Sequence, residues 1–265
     1  MYRHNRLNGS AIFVQNQYLC NEHPIRNAKM VKRKRYMHEG MFSAEMKLGD
    51  LIDANYNLLS ILSRLDIRLG FGEISVGGMC RRYGLSTELF LMICRIYTFD
   101  DYSPSCAALG DDDLRHIVDY LRASHRYYTG FSIPRLREDM DAVIATCDSK
   151  HGKILRRFFD DYCGEVASHF AYEEDTVFPY IDMLLDGRRS DDFSIERFED
   201  NHSDIDEKLN DMKSLIIKYL PEECRSGHRN DTLFEIYRFE EDLARHTLIE
   251  DRLLIPLVAK IERRL

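Results

Sequence analysis

SHFAYEEDTVFP (Ser168–Pro179) and RHTLIEDRLLIP (Arg245–Pro256) each carry a histidine and, four residues on, a glutamate: His169/Glu173 and His246/Glu250. In an α-helix this spacing puts both side chains on one face, where an imidazole and a carboxylate can grip the same metal centre. Each pair lies within an apolar stripe. Leu155, Phe159, Tyr162, Val166, His169, Glu173 and Val177 recur at steps of three or four, as do Ile236, Phe239, Leu243, His246, Glu250, Leu253 and Leu257. The ionisable groups are therefore expected to point at a core.

A buried carboxylate costs several kcal/mol unless a partner or a cation compensates it. Taken singly, a His/Glu pair one turn apart reads as a surface ion pair; its repetition argues for a site. Two more stretches place a histidine at an equivalent inward position: His125 follows Leu114, Ile117, Val118 and Leu121, and His202 lies between Phe198 and Ile205, Leu209, Met212. Four histidines and two glutamates on four amphipathic helices can converge only if those helices bundle. Asp206, one turn after His202, is expected either to touch a metal or to orient one of its ligands. The remaining histidines do not repeat the pattern: His4, His23 and His38 lie in a polar N-terminal arm, His116 at a helix start, His151 in an HG turn and His228 in an SGH loop.

The fold class is all-α. Successive long helices with short connections favour an up-down-up-down four-helix bundle over residues 111–263. Its expected helices run over about 111–129, 149–183, 193–219 and 230–263, with a stop before Pro134, a connector over 134–146 that is open to being helical, and a second stop before Pro221. Asp111, Asp112 and Asp113 suit the N-terminus of the first. Ahead of the bundle, residues 41–100 read as a small helical module, with helices over Lys47–Leu65, Ser75–Arg82 and Thr87–Tyr97 and a glycine-rich turn at Gly70 and Gly72. The segment from Ser75 has the helix, turn, helix outline of a DNA-reading motif. Its second helix, however, is apolar (Leu89, Phe90, Leu91, Met92, Ile93) and offers nothing to read bases, so packing or docking is the expected role.

With 44% hydrophobic residues, the 265-residue chain can bury one sizeable core and a small companion. No stretch approaches the roughly 18 apolar residues of a membrane span. Seven scattered cysteines without a CxxC suggest neither a disulfide framework nor a zinc knuckle, which fits reduced thiols in the cytoplasm. Charge is uneven. Residues 1–40 hold eight Lys/Arg against Glu22 and Glu39, including the run Lys32-Arg33-Lys34-Arg35, and read as a basic, disordered arm; the rest carries 29 basic against 43 acidic residues and should repel nucleic acid. No phosphate loop, dinucleotide fingerprint or Ser/His/Asp arrangement supports kinase, dehydrogenase or hydrolase chemistry.

The order His125, HFAYE with a second Glu and VFP after it, His202 in EDNHSDIDEKL, and HTLIEDRLLIP resembles the hemerythrin-like, HHE cation-binding domain across residues 111–263. The leading module is similar to the small N-terminal domain of the bacterial di-iron proteins that repair iron-sulfur centres after nitrosative and oxidative stress: LGDLI, LLSILSRLDI and VGGMCRRYGL follow in that order. It departs where that family carries a Cys-Cys pair, since Gly70-Phe71 stands there. The resemblance implies two iron ions, with Glu173 and Glu250 bridging and His125, His169, His202 and His246 as terminal ligands. Six protein ligands overfill one tetrahedral zinc, whereas two shared carboxylates leave each of two metals room for an oxo or hydroxo bridge. Manganese or zinc could occupy the same ligands. Transport hemerythrins add a histidine where Asp206 stands, which favours redox chemistry or NO binding over reversible oxygen carriage. The expected function is that of a non-haem di-iron protein reacting with O2, NO or peroxide in the stress response, including iron-sulfur centre repair. The alternatives are a gas or redox sensor acting on a protein partner through the N-terminal module, and metal storage.

Overall fold

Polar caps start the helices close to where the sequence places them. In the computed structural model, which describes residues 39–190, 192–201, 206–222, 224 and 227–265, four short helices come first: α1 (Leu48–Ala54), α2 (Leu58–Arg64), α3 (Val76–Tyr83) and α4 (Thr87–Ile96). The Ser75 and Ser86 hydroxyls each accept a backbone N–H three residues on, from Gly78 and Leu89, at 3.2 Å. Lys47–Leu65 is not one helix. Asn55 interrupts it: its Oδ1 accepts the Asn57 N–H at 3.1 Å and its Nδ2 donates to the Tyr97 carbonyl at 3.0 Å, so the side chain satisfies backbone groups that a continuous helix would have used. Gly84 ends α3 in the left-handed region (φ 69°), which turns Leu85 N–H back onto the Cys80 carbonyl. The apolar α4 is buried almost throughout and packs on α3 and on a long helix of the bundle.

The bundle consists of α5 (Asp111–Tyr127), α6 (Ile133–Ile144), α7 (Ser149–Tyr172), α8 (Phe178–Leu185), α9 (Ile195–Asn201), α10 (Asp206–Ser214), α11 (His228–Ile249) and α12 (Ile255–Glu262). Asp113 accepts the Gly110 N–H at the start of α5, and Asp148 accepts those of Lys150 and His151 at the start of α7. Wide π-helical turns interrupt this set at Tyr128–Ser132, Glu173–Val177, Leu215–Tyr219 and Glu250–Leu254. A proline stands two residues beyond each: Pro134, Pro179, Pro221 and Pro256. Proline has no N–H and its ring collides with the carbonyl four residues back, so the turn ahead of it widens. Ile133, Phe178 and Ile255 donate instead to the carbonyls five residues back, those of Tyr128, Glu173 and Glu250.

Pro134 therefore does not stop the first helix at 129. The helix continues through the wide turn into α6, so the expected connector over 134–146 is helical to Ile144. Likewise α7 runs on into α8 as far as Leu185, and α11 into α12 as far as Glu262. Only at Leu215–Tyr219 does the chain leave the helix, because Leu220 is extended ahead of Pro221. His151 and His228 fall in the first turns of α7 and α11, not in loops. The arm up to residue 38 and His202 lie outside the described residues, as does the side chain of Asp206.

Together these helices form the expected up-down-up-down all-α bundle. Leu136, Met140, Leu155, Phe159, Met212, Ile236 and Leu243 belong to one apolar layer. Leu114, Ile117, Ile181, Leu184, Leu257 and Ile261, all buried, make another toward the opposite end. Each such side chain contributes about 1.5–3 kcal/mol on burial. Between the layers sit the ionisable groups. Among the described residues no helix is long and apolar enough to cross a membrane.

Candidate metal centre

Each inward glutamate opens one of the wide turns: Glu173 is the first residue of the segment joining α7 to α8, and Glu250 of that joining α11 to α12. Their histidines lie one ordinary turn earlier on the same faces. His169 Nε2 is 2.9 Å from Glu173 Oε1, and His246 Nε2 is 2.9 Å from Glu250 Oε1. From α5, His125 brings its Nε2 to 2.8 Å from Glu173 Oε2. None of this is surface pairing, since Glu173, His246 and Glu250 have no exposed area and His125 is 4% exposed.

One donor atom from each of His125, Glu173, His246 and Glu250 lies within 4.8 Å of every other. His169 flanks this group through the second oxygen of Glu173. Despite the short distances, neither oxygen of Glu173 accepts a hydrogen bond, and His125 Nε2 and both ring nitrogens of His246 make none. Lone pairs on these atoms converge on a common space instead of on N–H groups. Two carboxylates buried among imidazoles are costly to desolvate, and a cation among oxygen and imidazole donors lowers that cost. The donor set fits a divalent metal.

The surroundings hold the donors in place. His125 Nδ1 is 2.8 Å from Glu174 Oε1, and the other oxygen of Glu174 is 3.3 Å from Arg122 Nε. With Nδ1–H directed at Glu174, the Nε2 lone pair is left facing the centre, the usual arrangement of a metal-bound histidine. The ring stacks on Phe170 at 4.2 Å between centroids, with Phe178 beyond it at 5.6 Å. Burial opposes protonation of His125, but the nearby Glu173, Glu174 and Glu250 outweigh it and raise the pKa above the ordinary value. In the sequence Glu174 stands only as the second glutamate after HFAYE, with no role attached, since in YEED it looks like part of an exposed acidic run.

A second polar cluster adjoins the first. Asp242 precedes His246 and Glu250 by one and two turns on the same face of α11, and it forms a bidentate ion pair with Arg64 of α2. Tyr97 and Tyr120 donate or accept around it, with their hydroxyls 2.8 Å apart and Tyr97 3.1 Å from Asp242 Oδ1. Tyr128 donates to the Asp242 carbonyl at 3.1 Å while its ring packs edge-on to His246 at 5.7 Å. Burial pushes the Tyr97 and Tyr128 phenols well above their ordinary range, against the pull of Arg64.

The hemerythrin HHE cation binding domain matches residues 116–258 of this chain. That match spans more than half of the sequence and contains every candidate ligand. The chain belongs to the hemerythrin HHE cation-binding family. Comparison with curated proteins and with solved structures finds no match. Membership means that the bundle is a cation-binding domain, and within this hemerythrin-type fold the His125, Glu173, His246 and Glu250 cluster could hold a metal. In the N-terminal segment Gly70 adopts φ 87° and Gly72 φ 64°. A cysteine at position 70 would be strained there, in keeping with the absence of a Cys-Cys pair.

Proposed function

We propose that the bundle holds two iron ions, with Glu173 and Glu250 shared between them and His125, His169, His202 and His246 as terminal ligands, and that it reacts with O2, NO or peroxide in the oxidative and nitrosative stress response. The observation that carries this reading is Glu173: it is fully buried, accepts no hydrogen bond, and presents one oxygen to His125 and the other to His169. A carboxylate with a separate imidazole neighbour on each oxygen can serve two cations at once. Bound there, a pair of irons would supply one-electron redox chemistry and open coordination positions. The chain's own part is to orient and to dry the site. Glu174 and Arg122 fix the tautomer and aim of His125, while Phe170, Phe178 and Tyr128 pack around the imidazoles and exclude water. Reduced thiols at the six described cysteines accord with a cytoplasmic setting.

The test is metal content together with the visible spectrum of anaerobically purified protein, before and after exposure to air and to NO. Two irons per chain and an oxo-bridged, near-ultraviolet charge-transfer band are expected. Recovery of a single tightly bound zinc, with no iron uptake on reconstitution, overturns the reading. Repair is separated from storage by asking whether the protein restores activity to a damaged iron-sulfur enzyme.

A second reading, sensing through the N-terminal module, draws support from the Arg64–Asp242 pair. That pair ties α2 to α11 one helical turn from His246. Its test is whether oxidation of the loaded protein changes hydrogen exchange in residues 58–97; unchanged exchange removes it.

A further inference from the structure

Two thiols that the metal centre does not use meet at the end of the bundle where α7 and α11 begin. Cys147 stands two residues before α7, and Cys224 four residues before α11. Each sits on a tight turn: the Cys147 N–H donates to the Ile144 carbonyl at 3.0 Å, and the Cys224 N–H to that of Pro221 at 3.1 Å. Cys224 is fully buried in the apolar layer of Leu155, Met212 and Ile236, and Cys147 packs against that layer while staying partly exposed. There the two thiols are direct neighbours. The Cys147 Sγ–H donates to the Val143 carbonyl at 3.6 Å, and Arg229, in the first turn of α11, stands close enough to favour its thiolate. The buried Arg229 Nε–H has no protein acceptor.

Burial and the adjoining Cys224 push the Cys147 thiol up to about 12, while Arg229 and the Thr146 hydroxyl act in the other direction. Such a thiol is a slow nucleophile near neutral pH, so the pair stays open in a reducing compartment and closes only under sustained oxidation. Cys80 and Cys94 also adjoin one another, but both are fully buried and no reagent reaches either. At the bundle end one thiol can be reached and the other cannot, which sets the order of events: Cys147 is attacked first and Cys224 resolves.

We propose that Cys147 and Cys224 form a reversible disulfide by exchange with an oxidised low-molecular-weight disulfide such as glutathione disulfide, stapling together the starts of the two helices that carry the His/Glu pairs. The Cys147 thiolate attacks one sulfur of the glutathione disulfide and expels the first glutathione. Cys224 then loses its proton, attacks the Cys147 sulfur of the mixed disulfide and expels the second. Two protein thiols are oxidised, one glutathione disulfide is reduced to two thiols, and the protons released by the cysteines are taken up by the leaving thiolates. The link closes a loop of about 77 residues and so constrains the unfolded chain. It does not rest on the metal reading, since Ser149 and His169 are about 30 Å apart along α7.

The full chain is incubated with glutathione disulfide at pH ~8.5, its remaining thiols are alkylated, and a digest made without reduction is read by mass spectrometry. A Cys147–Cys224 peptide is expected, with Tm raised by several degrees and both changes reversed by dithiothreitol. Cys224→Ser should trap glutathione on Cys147, and Cys147→Ser should leave Cys224 unmodified, with metal content unchanged in both. A lasting glutathione adduct on Cys147 of the unsubstituted chain, a link from Cys147 to any other cysteine, or survival of both thiols under conditions that oxidise the denatured chain overturns the proposal; a link that leaves Tm unchanged overturns the stapling. The link is read on the unsubstituted chain, so it decides the matter even if Cys224→Ser fails to fold.

Discussion

Helix α11 carries two inward acids that meet opposite fates. Asp242 and Glu250 lie two turns apart on one face, Glu250 fully buried and Asp242 partly so. Asp242 is answered by protein: Arg64 pairs with it through both Nη atoms, and the Tyr97 hydroxyl donates to its Oδ1. Glu250, like Glu173 across the bundle, is faced by imidazoles that are neutral unless protonated. Where the chain intends a permanent ion pair, it supplies a guanidinium. Where it surrounds two buried carboxylates with histidines, it builds a donor set that could hold a cation.

The largest effect should follow from removing one of the two carboxylates proposed to be shared between the metals. Glu173→Ala or Glu250→Ala is expected to empty the metal centre proposed above yet to cost the apo protein little, because each removes a carboxylate buried among imidazoles. Metal per chain and Tm, with and without metal, check this; two-metal occupancy in either variant would break the comparison from its metal side.

The pair at Asp242 should behave in the opposite sense. Arg64→Met leaves the partly buried Asp242 without its guanidinium and is expected to cost about 1–3 kcal/mol by denaturant unfolding, whereas Arg64→Met with Asp242→Leu should recover most of that loss. A double variant no better than the single one would mean that the tyrosines, not the ion pair, hold the junction.

Glu174 sharpens the contrast at intermediate size. Glu174→Ala should lower metal affinity by roughly 10–100-fold in chelator competition, through misalignment of His125, with little change in apo stability. Unaltered affinity would make the 2.8 Å contact incidental. His116→Ala, far from any donor cluster, should change nothing in metal content.

The smallest effect concerns thiols. Burial pushes Cys163 up to about 11, with Arg137 opposing. Near neutral pH its thiol is thus held protonated, and the thiolate needed for alkylation grows only as pH rises toward that value. Iodoacetamide labelling of the Cys163 peptide, read by mass spectrometry, should be slow at pH ~8 and accelerate above it. Fast labelling at neutral pH would contradict the burial.

Sequence spacing was enough to place His125, His169, Glu173, His246 and Glu250 on inward faces, because a period of 3.6 relates residues on one helix without reference to others. It also located the bundle helices to within a few residues, except where proline was read as a terminator. Pro134 misled for a physical reason: a wide turn can absorb the missing N–H, and nothing local to the proline announces it. The distances between prolines and earlier residues did hold a signal. Tyr128, Glu173, Leu215 and Glu250 each stand six residues before a proline. Contacts such as Arg64–Asp242, Glu174–His125 and Arg122–Glu174 were not legible, since which surface-type charge meets which is decided by how separate helices pack.

Those wide turns amount to a lattice defect. Each fits an extra residue into the rise of an ordinary turn, as a dislocation inserts an extra row into a crystal, and the stripe of inward positions slips where the defect sits. Two of the four defects begin at Glu173 and Glu250. Deleting one residue between 174 and 177 would therefore heal the helix and leave what lies beyond in register, with Ile181 and Leu184 still facing the interior, because the ordinary turn and the wide one cover the same rise. The extra residue serves the turn that begins at the glutamate, not the helix that follows it.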